Sequence, residues 1–136
     1  MKLVTIDWRE VAGENCSREE GSYVMEENKT NTFTMPSANG KGAVYIEKIL
    51  DEELADKCGL YAKVTIPAGS VLGYHEHHGI GESYFVLSGS AIYDDNGVKR
   101  TIGPGDQTWT PDGSGHGVDN SKGAEDIVFM ALIVNK

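Results

Sequence analysis

Cysteine is scarce in this chain of 136 residues, which contains only Cys16 and Cys58. The two lie far apart in the sequence and form no Cys-x-x-Cys pair, so neither a disulfide framework nor a cysteine-rich zinc site is indicated. Two unpaired thiols in a reducing cytosol are the simplest interpretation, and a disulfide between them is the alternative.

Basic residues and long apolar runs are also few. Lys and Arg number 12 against 21 Asp and Glu, which gives a formal net charge of −9. Phosphate backbones are bound by surplus Lys and Arg, so a nucleic-acid partner is not expected. No stretch approaches the roughly 20 apolar residues that cross a bilayer. Charged residues at Asp7, Arg9 and Glu10 interrupt any signal-peptide hydrophobic region. We therefore expect a cytoplasmic protein with no membrane contact.

Proline is rare, with four residues, whereas glycine is abundant, with 17. The glycines lie between short apolar stretches rather than in one low-complexity run. This arrangement predicts about eight short strands with turns roughly every 8 to 12 residues, which is typical of a β-sandwich or a jelly-roll barrel. We therefore predict an all-β fold.

The domain organisation follows from length and from the change in composition near residue 40. A chain of this length forms one compact domain. The polar segment before residue 40 predicts an N-terminal arm over residues 1–40, followed by the barrel domain over 41–136. Only residues 51–57 predict a helix, of at most two turns, which Gly59 would end.

Histidine carries the clearest chemical signal, because three of the four histidines, His75, His77 and His78, lie within four residues. Positions two apart on a strand point to the same face, so His75 and His77 are expected to project inward together. Two imidazoles on one face can share a first-row divalent ion. By the same alternation, Glu76 and His78 should point outward.

A carboxylate and a distant histidine could complete such a site. The glycine-bearing loop 79–81 can reverse the chain and bring Glu82 beside the histidine pair. His116 would have to arrive from another strand. A single His or Glu on a strand is more often a hydrogen-bonded or solvated residue than a ligand. Spacing alone does not show that these side chains converge.

Two stretches of the chain resemble the paired signatures of the cupin family. Residues 69–89 contain Gly, five residues, His-x-His, four residues, Glu, six residues and Gly. Residues 105–120 contain Gly, five residues, Pro-x-Gly, two residues, His, three residues and Asn. Every fixed position is present at the allowed spacing, and the short interval between the stretches is similar to that of small bacterial members.

The resemblance implies a conical double-stranded β-helix barrel, often dimeric, with one metal inside it. In the family, the matching positions converge on that metal, and in this chain they are His75, His77, Glu82 and His116. The ligand set suits Mn, Fe, Co, Ni, Cu or Zn without deciding among them. A homodimer is the expected assembly.

Other motif positions have structural interpretations. The resemblance implies turn glycines at Gly69, Gly89, Gly105 and Gly113, and a structural hydrogen-bonding role for Asn120.

Strand alternation places Tyr84, Val86 and Ser88 on the same face as Glu82, so all three are expected to line the cavity. Tyr84 is therefore a candidate substrate contact. The alternative interpretation is an aromatic residue that fills the barrel.

Three imidazoles and one carboxylate leave an open position on a five- or six-coordinate ion, which metal catalysis requires. We therefore expect a metal-dependent enzyme that acts on an oxygen-rich small molecule. The dioxygenase, decarboxylase, isomerase and lyase types are not resolved. The alternative is a non-catalytic module that binds or senses a small ligand such as a sugar or a carboxylate. A closed structural metal site ranks third.

Overall fold

The computed structural model describes residues 40–136 in full and, before them, only the backbone of three short strands. In chain order the strands are β1 (Val4–Thr5), β2 (Val24–Met25), β3 (Thr32–Met35), β4 (Val44–Leu50), β5 (Cys58–Ile66), β6 (Val71–Glu76), β7 (Ile80–Ser88), β8 (Ala91–Asp95), β9 (Val98–Ile102), β10 (Gln107–Thr110), β11 (Gly115–Asp119) and β12 (Ile127–Asn135). No α-helix occurs in this part of the chain, so the prediction of an all-β fold is confirmed.

The strands form two sheets. The five-stranded sheet has the order β1-β6-β11-β8-β9, and the seven-stranded sheet has the order β10-β7-β12-β5-β4-β3-β2. Neighbouring strands are antiparallel, apart from the parallel pair β1 and β6. The chain crosses between the sheets, since β6 and β7 are consecutive in the chain but belong to different sheets.

Alternation of apolar and polar residues along the strands builds one core between the sheets. On β5 and β12, every second side chain is buried, and these residues are Leu60, Ala62, Val64, Ile66, Ile127, Phe129, Ala131 and Ile133. β4 contributes Val44 and Ile46 to the same core. The polar cluster described below lies at one end of this interior, on β6, β7 and β11.

The hairpin between β8 and β9 turns at Asn96-Gly97, a residue pair that is typical of tight turns. Asn96 and Gly97 both have positive φ angles, 52° and 99°, as a tight two-residue hairpin requires. The Asp94 carboxylate accepts a hydrogen bond from the Gly97 N–H at 2.8 Å. The turn therefore fixes the register in which β8 and β9 pair.

The motif positions expected at turns also have the expected geometry. Gly69, Gly89, Gly105 and Gly113 all have positive φ angles, between 78° and 92°. Asn120 is buried, and its side-chain amide donates to the carbonyl oxygens of Ile66 and Glu125, both at 3.0 Å. The structural role predicted for Asn120 is confirmed.

The helix predicted over residues 51–57 is wrong. The segment forms only a three-residue 3-10 helix, Glu52–Leu54, and Ala55 then leaves helical geometry with a φ of 51°. The Asp51 side chain makes no capping bond and instead accepts from Lys48 at 3.3 Å. So short a segment cannot offset the cost of helix nucleation.

Ser88 also differs from its expected position, because its side chain is exposed rather than turned into the cavity. The register between β12 and β7 shifts at Val128/Phe129, where Ser88 pairs with Val128. This irregularity at the end of β7 breaks the alternation that buries Tyr84 and Val86.

Candidate metal centre

Three strands bring the four predicted ligands to one place. His75 lies on β6, Glu82 on β7 and His116 on β11, and all three side chains are fully buried. His77 follows the end of β6, but its backbone still bonds across to the chain before β11. Its N–H donates to the Ser114 carbonyl at 3.0 Å, and its carbonyl accepts from Gly113 at 2.8 Å. The strand alternation therefore continues through His77, which is also fully buried.

Strand pairing explains how His116 reaches the site from a distant part of the sequence. β11 pairs with β6 in the register that places His116 opposite His75. The two backbones approach closely at Gly117, where a Cβ would lie 3.0 Å from the backbone nitrogen of Tyr74. A glycine beside the ligand therefore permits the close pairing that carries His116 inward.

The donor atoms of the cluster are in close mutual contact. His77 Nε2 lies 3.0 Å and His116 Nε2 lies 3.1 Å from the same oxygen, Glu82 Oε1. The two imidazole nitrogens are themselves 3.1 Å apart. With His75, the four residues each offer a ligand atom, and these atoms lie within 4.8 Å of one another.

These distances fit a divalent transition metal. Nitrogen and oxygen ligands bind such an ion at about 2.0–2.2 Å, so adjacent ligands of an octahedral ion lie about 3.0 Å apart. The contacts among His77, His116 and Glu82 have this length. Imidazole nitrogen is a borderline donor and carboxylate oxygen is a hard donor. Mn, Fe, Co, Ni, Cu and Zn accept both kinds of ligand.

The outer ring nitrogens of two histidines have hydrogen-bond partners, as metal-binding imidazoles usually do. His75 Nδ1 lies 2.8 Å from the carbonyl oxygen of Gly73. This carbonyl can only accept, so Nδ1 carries the proton and the lone pair is on Nε2. His116 Nδ1 lies 2.9 Å from the hydroxyl groups of both Tyr93 and Thr110.

Burial and neighbouring charge set the protonation of the cluster. Burial lowers the pKa of His75 to about 3, and the adjacent His116 acts in the same direction. Burial also lowers the pKa of His116. For Glu82, burial alone would raise the pKa, but hydrogen bonds from His116 and His77 outweigh it and lower the pKa to about 2. These shifts favour neutral imidazoles at His75 and His116 and an ionised carboxylate at Glu82, which are the protonation states that bind metal.

Glu76 and His78 point away from the cluster, as the alternation predicts. His78 is exposed, and its Nε2 lies 3.1 Å from Oε1 of Glu76 on the outer side of the strand. Neither residue belongs to the group of ligand atoms.

Tyr84 lies inside the barrel beside His116. Its hydroxyl oxygen is 3.4 Å from His116 Nε2, and its ring stacks on the imidazole with a centroid distance of 4.8 Å. The ring also packs on Phe129 at 4.2 Å, so Tyr84 fills the barrel as well as facing the cluster. Burial, followed by the charge of Glu82, raises the pKa of Tyr84 well above its ordinary value, so the phenol is neutral.

Tyr93 and Thr110 contact the site, although the sequence did not indicate them. Both are buried, and both contact His116 through their hydroxyl groups. The alternation along β8 and β10 turns them inward, but no motif position marks either as polar and functional. A search for hydroxyl residues at inward-facing positions of strands that neighbour a predicted ligand could have identified them.

Comparison with known proteins agrees with this architecture. The family model described as Cupin domain matches residues 62–133. An oxalate-binding protein of Thermotoga maritima is 36% identical over 96 residues, which cover 70% of this chain and 78% of that protein. The crystal structure of a predicted oxalate decarboxylase from Thermotoga maritima has a TM-score of 0.74 and 31% identity, with 83% of this chain and 99% of that chain covered. KdgF from Halomonas sp. shares the fold, with a TM-score of 0.60 at 19% identity over 68% of this chain and 79% of its own.

The two sheets around a polar cluster define a double-stranded β-helix protein, as the sequence resemblance implied. The chain belongs to the cupin family. A buried cluster of three histidines and one glutamate in it could hold a metal ion. Among the residues that the structure describes, no helix has the length and apolar character to cross a membrane.

Proposed function

We propose that the chain is a metal-dependent cupin whose His75, His77, Glu82 and His116 bind one divalent transition metal. The observation that carries this proposal is the contact of two imidazole nitrogens with one buried carboxylate oxygen at 3.0 and 3.1 Å. A buried carboxylate has lost its hydration, and a bound cation would compensate its charge. When bound, the metal would supply a Lewis-acid or redox centre with an open coordination position.

We further propose that the ligand is a small carboxylate. Two relatives at 36% and 31% identity are described as an oxalate-binding protein and a predicted oxalate decarboxylase. A carboxylate suits a cationic centre, and the buried, neutral hydroxyl of Tyr84 can donate a hydrogen bond to it. Tyr84 is thus the proposed substrate contact, and it also gives an enzyme a polar group near the open position.

Calorimetric titration of the metal-loaded protein with oxalate tests this ligand class. We expect saturable binding that metal-free protein lacks, and roughly tenfold weaker binding by Tyr84→Phe, since one hydrogen bond to a charged group is lost. Because oxalate also chelates free metal, the metal content is measured again after the titration. Equal binding by metal-loaded and metal-free protein would reject the proposal.

A second candidate is a binding module without turnover. The name of the 36% identical relative describes binding rather than a reaction. The two candidates differ in whether oxalate is recovered unchanged after incubation with the metal-loaded protein. Recovery of all the oxalate at a stoichiometric complex supports the binding module, whereas formation of formate or carbon dioxide supports the enzyme.

A homodimer is proposed as the assembly. Phe85, Leu87 and Trp109 are large apolar side chains on adjacent strands β7 and β10, and each is about half exposed. Trp109 pairs with Ser83, and its ring lies over Gly81, so the three side chains share the outer face of the two strands. Exposed apolar side chains on one sheet face suit an isologous contact with a second copy. Light scattering should give a mass of two chains for the protein and of one chain for Phe85→Glu, and a monomeric protein would reject the dimer.

The arm over residues 1–40, the barrel boundary at 41–136 and the cytoplasmic location remain predictions. Cys58 is a free thiol among the described residues, and Cys16 lies outside them. The absence of a nucleic-acid partner also remains a prediction from charge.

A further inference from the structure

A triangle of polar contacts lies behind His116, on the side away from the cluster. The hydroxyl oxygens of Tyr93 and Thr110 are each 2.9 Å from His116 Nδ1. The two hydroxyl oxygens are 3.0 Å from each other. All three residues are at most 1% exposed, so the contacts are made in the protein interior.

The triangle joins the two sheets. Tyr93 is on β8 and His116 on β11, which pair in the five-stranded sheet, whereas Thr110 is on β10 in the seven-stranded sheet. Thr110 is also the residue opposite Glu82 in the pairing of β10 with β7. Thr110 therefore connects the strand that pairs with the Glu82 strand to the ring of His116.

The Tyr93 side chain is held in turn from its other face. The Arg100 guanidinium carbon lies 5.2 Å from the centre of the Tyr93 ring. Arg100 also forms an ion pair with Asp95 at 2.6 Å. These contacts restrict the Tyr93 ring, so its hydroxyl meets His116 in a preset position.

Imidazole chemistry gives the triangle a role. A neutral imidazole carries one proton, and coordination through Nε2 requires that this proton be on Nδ1. A buried Nδ1–H needs an acceptor, and here the acceptors in contact are two hydroxyl oxygens. His75 meets the same need with the Gly73 backbone carbonyl, which no side-chain substitution removes.

We propose that Tyr93 and Thr110 are positioning residues whose hydroxyl oxygens accept a hydrogen bond from the Nδ1–H of His116, so that Nε2 faces the metal. This inference rests on the proposed metal site. The two hydroxyl groups act through His116 and do not themselves contact the ion or its ligand. Their removal lowers metal affinity while the fold and the other three ligands remain.

Zn²⁺ is the probe, because it is redox-inert and does not broaden nuclear magnetic resonance signals. Its affinity is measured by competition with a chromophoric chelator for the wild type, Tyr93→Phe, Thr110→Val, the double variant and Thr110→Ser. Loss of contacts behind a metal-bound histidine typically weakens binding about 10- to 100-fold, and we expect this for the double variant. Thr110→Ser keeps the hydroxyl group, so it should bind within about threefold of the wild type.

The ¹⁵N shifts of the His116 ring give a readout that loss of packing alone would not produce. In the Zn²⁺-loaded wild type and in Thr110→Ser, Nδ1 should carry a slowly exchanging proton. In the double variant that proton should exchange rapidly with water or be lost from Nδ1. The dispersion of the backbone amide spectrum shows for each variant whether the fold is retained.

The outcomes separate the two proposals. The role of the hydroxyl groups is supported if the double variant binds Zn²⁺ more weakly while Thr110→Ser keeps an affinity close to that of the wild type. Tight binding by the wild type and equally tight binding by a folded double variant would overturn that role and leave the metal site intact. A folded wild type that binds no Zn²⁺ would overturn the metal site and the positioning role with it. If the double variant unfolds, the single variants decide: unchanged affinity and unchanged ¹⁵N shifts in both would overturn the role.

Discussion

Two contacts between an imidazole and a carboxylate lie side by side in this barrel, one inside and one outside. His77 Nε2 and Glu82 Oε1 are 3.0 Å apart, with side chains 0% and 1% exposed. His78 Nε2 and Glu76 Oε1 are 3.1 Å apart, with side chains 56% and 29% exposed. The distances match, so the difference between the pairs lies in their surroundings.

Burial gives the inner contact its chemical significance. A solvated pair gains little from its Coulomb attraction, because water screens both charges. A buried carboxylate loses its hydration and needs a compensating charge or several donors. The inner pair has two further imidazoles within reach and can bind a cation, whereas the outer pair is open to solvent.

The largest expected effect separates His77 from its neighbour His78. We expect His77→Ala to lower bound metal to well below one ion per chain, because one of four ligands is lost. His78→Ala is the matched control, one position along, and should leave the metal content almost unchanged. Elemental analysis of both purified variants makes the measurement. Full retention of metal in His77→Ala contradicts the ligand assignment, and a large loss in His78→Ala would show that the strand alternation is misjudged.

An intermediate effect should appear in the pH dependence of the metal-free protein. The pKa of His75 is about 3 in the fold and about 6.5 in the unfolded chain, so below pH 6.5 the unfolded chain binds more protons. Glu82 acts in the same direction, with a pKa of about 2 against an ordinary value of 4.5. The stability contributed by both residues is therefore present at pH 7. It is lost as the pH falls, first for His75 below pH 6.5 and then for Glu82 below pH 4.5.

Urea unfolding in the presence of EDTA at pH 7, 6 and 5 measures this loss. The free energy of unfolding should fall steadily over this range. His75→Gln should reduce the slope, and His78→Gln is the matched exposed control for loss of an imidazole. A free energy that is constant or that rises toward pH 5 would contradict the assignment of neutral, buried imidazoles.

The smallest effect concerns the outer pair. A double-mutant cycle on Glu76 and His78 should give a coupling free energy of at most about 0.5 kcal/mol, because both groups are hydrated. The value should fall further at high salt, since exposed charges are screened. A coupling several times larger that persists in salt would mean that this pair is not simply a surface contact, and the contrast with the inner pair would disappear.

The sequence predicted the fold and the inward direction of His75 and His77 for a local physical reason. Strand alternation has a period of two and needs no knowledge of distant residues. The four turn glycines of the motifs came from the family resemblance, and their positive φ angles agree with it. The convergence of His116 was different, because it depends on the register of β11 against β6. The family resemblance supplied that register, whereas spacing did not.

The features that the sequence did not predict depend on tertiary contacts. Residues 51–57 have helical composition, but the segment is too short to form a helix on its own. Strand alternation places Ser88 on the same face as Glu82, but a register shift between β7 and β12 leaves its side chain exposed. The hydroxyl groups of Tyr93 and Thr110 become meaningful only when two sheets place them against His116.

X-ray absorption spectroscopy, combined with elemental analysis of protein purified from its native host, is the decisive test of the metal site. We expect about one transition metal per chain, bound by three imidazole nitrogens and a carboxylate oxygen at roughly 2.0–2.2 Å. Purification from the native host avoids loading by an ion that overexpression supplies. A folded protein with no stoichiometric metal, or a bound metal whose spectrum lacks imidazole scattering, would overturn the metal site.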